Sequence, residues 1–339
     1  LRETAAPNGY TIAKDVKFTV TDELKAAETV VMENAPIEVN ISKTDITTDK
    51  ELPGATLQIL KKAAAVTDDG EETETEEVVT TIYGEKLEWK STGEPKNIKG
   101  LPAGEYILRE SAAPDGYTVA ADVTFTVTDE LKAVETVEMQ DAPIETVISK
   151  VDMADTAKEL PGATLQILKK VTAEDGTTSE EIAVTVYGEK LQWISGEEAK
   201  EIKGLPAGDY ILRENAAPTG YTIAKDVEFT VSNDRKVTNK AVMEDQATEV
   251  KISKVDITDA EKELPGATLQ VMDKYGNEIV KTVYGEELKW VSGNEAKVIK
   301  GLPAGEYTLR ETIAPAGYSI AKDVKFTITD ELKAAETVT

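Results

Sequence analysis

The sequence predicts an all-β protein: two-sheet β-sandwich domains arranged in tandem, in an extended array. Three observations carry that prediction. Apolar residues alternate with polar ones in EVNISK, ATLQIL, EYILRE and DVKFTV, the period of a half-buried strand. Gly/Pro turns (LPGA, GLPAGEY, APNGY) separate these runs. Each segment also returns at a period long enough to be a whole domain.

The repetition fixes the organisation. ISKTDITTDKELPGATLQI at Ile41 returns as ISKVDMADTAKELPGATLQI at Ile148 and ISKVDITDAEKELPGATLQV at Ile252. LRETAAPNGY at Leu1 returns at Leu108, Leu212 and Leu309. VVMENAP at Val30–Pro36 returns as VEMQDAP at Val137–Pro143 and, more loosely, as AVMEDQA at Ala241–Ala247. The period is 107 residues (43 to 150), then 104 (150 to 254). Residues 35–142 and 143–246 are complete repeats. Residues 1–34 are the C-terminal third of another, and 247–339 a repeat lacking its last strand. The chain opens with Leu1, and the expectation is a piece of a longer protein.

The elements follow in order within a repeat. The first strand is EVNISK, and the second begins after LPGA. The segment after it varies in length (Ala63–Glu77, Val171–Glu181, Asp273–Glu278) and reads as a loop. YGE(K/E)LxW then brings Trp89, Trp193 and Trp290, expected as core or sheet-edge packing. GEYILRE is a strand, followed by a turn at Pro7, Pro114, Pro218 and Pro315, each closed by Gly-Tyr. DVKFTV is the next strand. TDELKAAETV at Thr21–Val30 has helix-forming composition, but its counterpart SNDRKVTNKAV at Ser232–Val242 is a poor helix, so a hairpin is expected. VEMQD closes the domain. Seven or so short strands in about 100 residues suit a sandwich.

Composition narrows the chemistry. The 339 residues carry a net charge of -26, are 40% hydrophobic and only 5% aromatic, so the cores rest on Val, Ile and Leu. The acidic surface opposes nucleic acid and anionic membranes, and no apolar run is long enough to cross a bilayer. There is no His and no Cys. That excludes a Ser-His-Asp or Cys-His engine, the usual zinc site and any disulfide. No cofactor is expected. The acidic stretch Thr67–Glu77 lacks the DxDxDG pattern of a calcium loop and reads as solvated.

Strand parity supplies candidate chemistry. Side chains two apart share a face. Val39 and Ile41 lead to Lys43, Ile148 to Lys150, and Val250 and Ile252 to Lys254. Tyr106 and Leu108 lead to Glu110 while Arg109 points out; Glu3, Glu214 and Glu311 repeat the position. On the closing strand Val137 and Met139 lead to Asp141, Ala241 and Met243 to Asp245, and Val30 and Met32 to Asn34. Burying such charges unpaired costs several kcal/mol each, on the order of any single stabilising feature. One reading is an ordinary buried salt bridge or a sheet end meeting water. The sharper reading is covalent. A dry site disfavours charged forms, leaving amine and acids neutral. The amine then attacks the acceptor carbonyl carbon, the Glu moves protons, and water (from Asp) or ammonia (from Asn) leaves. Fixed geometry supplies the effective molarity. The reaction runs once per domain, so the chain is not a turnover enzyme.

Ser-Lys-Xaa-Asp followed by KELPGA, then GEY…RE(T/S)AAP(D/N)GY, then VxMx(D/N)A, in that order and over essentially the whole chain, resembles the B-type domains of Gram-positive collagen adhesins (CnaB, or SpaA-like, domains). The repeats are especially similar to the fibronectin-binding-protein domain from which SpyCatcher was derived. It implies a transthyretin-like, reverse-immunoglobulin sandwich with intramolecular isopeptide bonds. Lys43, Lys150 and Lys254 fall on the bonding lysine, Glu3, Glu110, Glu214 and Glu311 on the catalytic acid, and Asn34, Asp141 and Asp245 on the acceptor. Gln246-Ala247 departs from the Ala-Pro of the other copies. LPGAT at Leu52–Thr56 has the wrong order for a sortase signal and sits inside a domain.

Spacing points to mechanics. Glu to acceptor is 31 residues in each copy, Lys to Glu is 67, 64 and 57, and each acceptor to the next Lys is 9. A pull would run from acceptor through that tether to lysine. At full extension the tether spans roughly 30 Å, against roughly 350 Å for an unlinked repeat. The expected function is a structural stalk on a bacterial surface, extracellular and attached to wall or fibre, whose partners are neighbouring repeats. The alternatives are a polymerising pilin subunit joined to like chains, which would use the half-repeats at either end, and an adhesin binding a host ligand through its variable loops.

Overall fold

In the computed structural model of the chain, residues 1–22, 28–66, 72–131, 134–332 and 335–339 are described. They contain strands, turns and no helix. Chain contacts group them into two compact units. One comprises Leu1–Ile144 with Lys203–Ala207 and Ser232–Thr238; the other comprises Glu145–Ile202, Gly208–Val231 and Asn239–Thr339.

Residues 35–142 hold β1 (Glu38–Asp45), β2 (Thr56–Val66), β3 (Glu72–Val78), β4 (Glu88–Lys90), β5 (Lys96–Lys99), β6 (Gly104–Ala112), β7 (Val123–Val127) and β8 (Glu135–Asp141). They form two sheets. One has the order β5-β1-β8; the other runs β3-β2-β6-β7, with β4 also on β2. First and last strands lie side by side and parallel, with Lys43 opposite Met139 and Asp45 opposite Asp141. Between the sheets lie Val39, Ile41, Leu57, Ile59, Ile98, Tyr106, Leu108 and Met139, all buried. The alternation read from the sequence is the alternation of burial: in β1, Val39 and Ile41 face in and Asn40 does not.

Residues 143–246 repeat the plan with one added edge strand: β9 (Glu145–Asp152), β10 (Asp155–Glu159), β11 (Thr164–Thr172), β12 (Thr178–Ile182), β13 (Gln192–Ile194), β14 (Lys200–Lys203), β15 (Gly208–Ala216), β16 (Val227–Val231) and β17 (Asn239–Asp245). Here β9 pairs with β17, in parallel, and with β14, while β11 and β15 centre the second sheet. Residues 247–339 contribute β18 (Glu249–Ile252), β19 (Val255–Asp256), β20 (Asp259–Glu263), β21 (Thr268–Met272), β22 (Lys289–Val291), β23 (Lys297–Lys300), β24 (Gly305–Ile313), β25 (Val324–Ile328) and β26 (Glu336–Val338). The closing strand β26 covers only Val250–Ile252 of β18.

Two expectations are corrected. The length-variable segment is not simply a loop. In the first complete repeat β2 and β3 pair from Leu60↔Val78 to Val66↔Glu72, and in the second β11 and β12 pair from Leu168↔Ile182 to Thr172↔Thr178. Thr and Val with alternating charge favour a ribbon over a coil. In the third copy a turn replaces it, the Asp273 N–H donating to Glu278. Residues 67–71 of the acidic stretch lie outside the described residues. The expected hairpin at Ser232–Val242 is instead a connection between sheets. A turn at Asp234–Val237 joins β16 in one sheet to β17 in the other. Of its counterpart Thr21–Val30, residues 23–27 lie outside the described residues.

Other motifs fall where expected. Trp89 and Trp290 are half-buried against the core clusters, on short strands paired with β2 and β21. Lys96 and Lys297 each lie 5.5 Å over their rings. The Tyr10, Tyr117, Tyr221 and Tyr318 amides donate to Pro7, Pro114, Pro218 and Pro315, closing the four turns.

Candidate functional site

In residues 35–142 the side chains of Lys43, Glu110 and Asp141 meet between the sheets. Each residue is almost wholly buried, with Lys43 at 1% and Asp141 at 0% exposure. β1 and β8 are neighbours in one sheet, and β6 brings Glu110 from the facing one. Lys43 Nζ donates to Asp141 Oδ1 and lies 3.1 Å from Glu110 Oε1. Residues 143–246 build the same triad. Lys150 Nζ donates to Asp245 Oδ1 and lies 3.0 Å from Glu214 Oε1.

The glutamates are anchored by one oxygen and turn the other to the lysine. Glu110 Oε2 accepts the Ala120 N–H at 2.7 Å, and Glu214 Oε2 that of Ala224 at 2.7 Å. The other oxygen is thereby held toward the lysine. Asp141 Oδ2 and Asp245 Oδ2 are buried with no donor. Burial is the main reason both aspartates are pushed up to about 7, against the downward pull of the lysine's hydrogen bond and charge; the neighbouring glutamate pushes the same way as burial. A carboxyl group with one oxygen unbonded and burial favouring its protonated form is a poor anion, and the carbon of the neutral acid is a workable electrophile.

The partial copies are informative controls. Lys254 and Glu311 meet at 3.7 Å, and the Lys254 side chain is 19% exposed where Lys43 and Lys150 are at 1%. In residues 1–34, Asn34 Nδ2 donates to Glu3 Oε2 at 2.6 Å and to the Thr11 carbonyl at 2.9 Å, while Glu3 Oε2 also accepts the Ala13 N–H. Glutamate anchoring is thus common to all four copies. Full enclosure of the lysine is seen only where the acceptor strand lies along it. The Gln246-Ala247 departure leaves Asp245 in place. Gln246 contributes only its backbone carbonyl to Thr222 N–H, as Ala35 and Ala142 do for Thr11 and Thr118.

Sequence reasoning missed the residue that holds the lysine backbone. The acid of KELPGA, at Glu51, Glu159 and Glu263, accepts the N–H of Lys43, Lys150 and Lys254 at 3.1, 2.9 and 3.0 Å. The lysine carbonyl accepts from Leu52, Leu160 and Leu264. The recurring motif was visible, but its partner can be assigned only once the strand edge is folded. Also missed was a buried hydrogen bond beside the triad. Tyr117 and Tyr221 donate to Asp45 and Asp152, the residues two beyond each lysine.

The nine-residue tether is not free. The Ile37 N–H donates to Gly9, and Ile37 in turn accepts from Gly100; Thr248 does the same between Gly220 and Gly301. These bonds fix the segment between acceptor and lysine against its neighbours. No group of side chains suited to a metal ion occurs among the described residues, and no helix among them is long and apolar enough to cross a membrane.

Comparison with known families gives a match to SpaA, a prealbumin-like fold domain, at residues 37–143, 145–247 and 248–339. Among solved structures, the Bacillus anthracis TIE protein is 24% identical, covering 92% of this chain and 52% of its own, with a TM-score of 0.41. The Streptococcal ancillary pilin is 18% identical over 89% of this chain and 97% of its own (TM-score 0.36). BcpA, the major pilin subunit of Bacillus cereus, is 16% identical over 89% and 98% (TM-score 0.36). The chain thus spans about half of the TIE structure's length. No curated protein matches.

Proposed function

The chain belongs to the SpaA prealbumin-like family, and from that premise we propose that it is a tension-bearing segment of an extracellular stalk or fibre on a Gram-positive surface, each complete repeat closed by an intramolecular isopeptide bond. The bonds are Lys43–Asp141 and Lys150–Asp245. One observation carries the reading: in two separate repeats a buried amine is placed on a buried carboxyl whose second oxygen has no donor.

The chemistry follows from the contacts. One lysine proton passes through Glu110 or Glu214 to the aspartate, leaving amine and carboxylic acid. Nζ attacks Cγ, an N–C bond forms and a C–O bond breaks, and the glutamate returns the amine's proton to the departing hydroxyl. One water leaves per bond. The neutral amide replaces two charges that were costly to bury, and the enclosed geometry supplies the effective concentration that favours condensation. Because the bond joins the first strand to the last, load passes through it and bypasses the body of the domain.

Intact mass under denaturing conditions tests this. The parent chain is expected two waters lighter than its sequence mass, and the Glu110→Gln/Glu214→Gln chain at full mass. A parent at full mass would sink the cross-link. Adducts between chains on a denaturing gel would instead favour a polymerising filament subunit.

A further inference from the structure

The Tyr-Gly-Glu turn recurs at Tyr83, Tyr187 and Tyr284 without a part in the triads, and its surroundings give it one. We infer that this turn, at Tyr83 and at Tyr284, is a plug that docks its repeat into a socket on the residues of the repeat before it, and that the socket is the Gly-Tyr turn, joined at Tyr221 by the aspartate two residues beyond the bonding lysine.

The docked pair is seen in the unit that comprises Glu145–Ile202, Gly208–Val231 and Asn239–Thr339. Asp152 Oδ2 accepts two phenolic hydrogens, from Tyr221 of its own repeat at 2.8 Å and from Tyr284 of the next at 2.9 Å. Asp152 Oδ1 is held by the Ala154 N–H at 2.8 Å. The two tyrosine rings meet edge to face, 6.5 Å apart at 73°, an arrangement favoured by their quadrupoles. Beside them Val283 seats on Gly220, where a Cβ would come within 2.5 Å of Val283 Cγ1. Gly220 is therefore required twice, for its φ of +82° and for this close approach. A main-chain bond from Ile223 N–H to the Asp330 carbonyl at 2.7 Å ties the two repeats a second time.

The same parts recur in the other unit. Ile82 seats on Gly9, where a Cβ would lie 2.7 Å from Ile82 Cγ2. The ring of Tyr83 lies against Gly100 just as that of Tyr284 lies against Gly301, and Ile12 N–H donates to Asp129 at 2.7 Å. The socket formed by Gly317, Tyr318 and Asp256 shows the state without a plug. Tyr318 still donates to Asp256 at 2.7 Å, but a Cβ on Gly317 meets no atom within 4 Å, and Tyr318 is 45% exposed where Tyr221 is 7%. The partner that fits the socket is thus a repeat of this same kind, presenting an aliphatic residue followed by Tyr-Gly-Glu.

Docking does not depend on the isopeptide bonds, and the two are separable in one sample. Hydrogen exchange of the full chain, read by mass spectrometry, follows Ile223 and Thr248, while intact mass reports the cross-links. In Tyr284→Ala, exchange at Ile223 should rise about tenfold, as for loss of a hydrogen bond to a charged acceptor, with Leu165 and Ile167 unchanged. Tyr275→Ala, at an exposed turn, should leave Ile223 unchanged. Val283→Ala, a milder truncation, should give an intermediate rise. The inference is overturned if Ile223 exchanges freely in the parent chain, or if Tyr284→Ala and Val283→Ala both leave it protected.

Discussion

Lys150 and its neighbours were readable from sequence because a strand has period 2, so a charged residue in phase with Ile148 must share that residue's buried face. The same reasoning placed Glu214 after Tyr210 and Leu212, and Asp245 after Met243. It could not find Glu159, which acts on the lysine backbone from the end of an edge strand where no alternation marks a face. At this scale pH makes the sharpest demand. Asp141 and Asp245 are raised from 3.8 to about 7, chiefly by burial. A raised carboxyl favours folding while protonated, so its contribution is whole below 3.8 and is lost as pH rises through about 7. In the linked chain those carboxyls no longer exist. The Glu110→Gln/Glu214→Gln chain should therefore lose melting temperature between pH 4 and 8 more steeply than the parent. It should also melt lower at every pH, since closing a loop of 95 residues contributes about 4–5 kcal/mol in a chain-entropy account. Parallel pH slopes in the two proteins would show that the aspartates are not titrating in a dry site.

Among the elements, strands and turns were legible, while the segments between them were not. Alternation and Gly/Pro punctuation are local signals. The ribbon formed by β11 and β12 was missed because its outer residues, Lys169 to Thr172 and Thr178 to Glu181, are exposed on both faces and so carry no apolar phase. The connection at Ser232–Val242 was misread because the sequence does not say which sheet a strand joins; β16 and β17 sit in different ones. The ribbon makes a prediction of its own. It projects beyond the core, and the third copy dispenses with it at Asp273–Glu278. Replacing Val171–Glu181 by Asp273–Glu278 should keep the Lys150–Asp245 bond, read as an unchanged water loss, and shift stability by less than about 1 kcal/mol. Loss of the bond would mean that the ribbon positions β15 and its Glu214.

For the chain under load, the repeat structure sets what can lengthen. The cross-link removes the 95 residues between Lys150 and Asp245 from the extensible length, about 320 Å when stretched at roughly 3.4 Å per residue. What is left between acceptor and next lysine is short, and it is pinned on both sides by the Gly220 and Gly301 bonds to Thr248. Extension of the two linked repeats should therefore be limited to straightening of their tethers, in steps no longer than roughly 30 Å. Residues 247–339, where Lys254 has no acceptor among the described residues, should unravel in one long step after the Tyr284 plug is released, in parent and variants alike. Release of the plug should reverse when tension falls, because the linked repeat that carries the socket stays folded and Val283 and Tyr284 return to a preformed site. Pulling the full chain by its ends in a single-molecule force experiment separates the terms. Glu110→Gln/Glu214→Gln should add steps near 300 Å, and Tyr284→Ala should lower the force of a short step without adding a long one. More than one long step in a parent chain whose mass shows both waters lost would mean that tension does not bypass the bodies of residues 35–142 and 143–246 as the strand order requires.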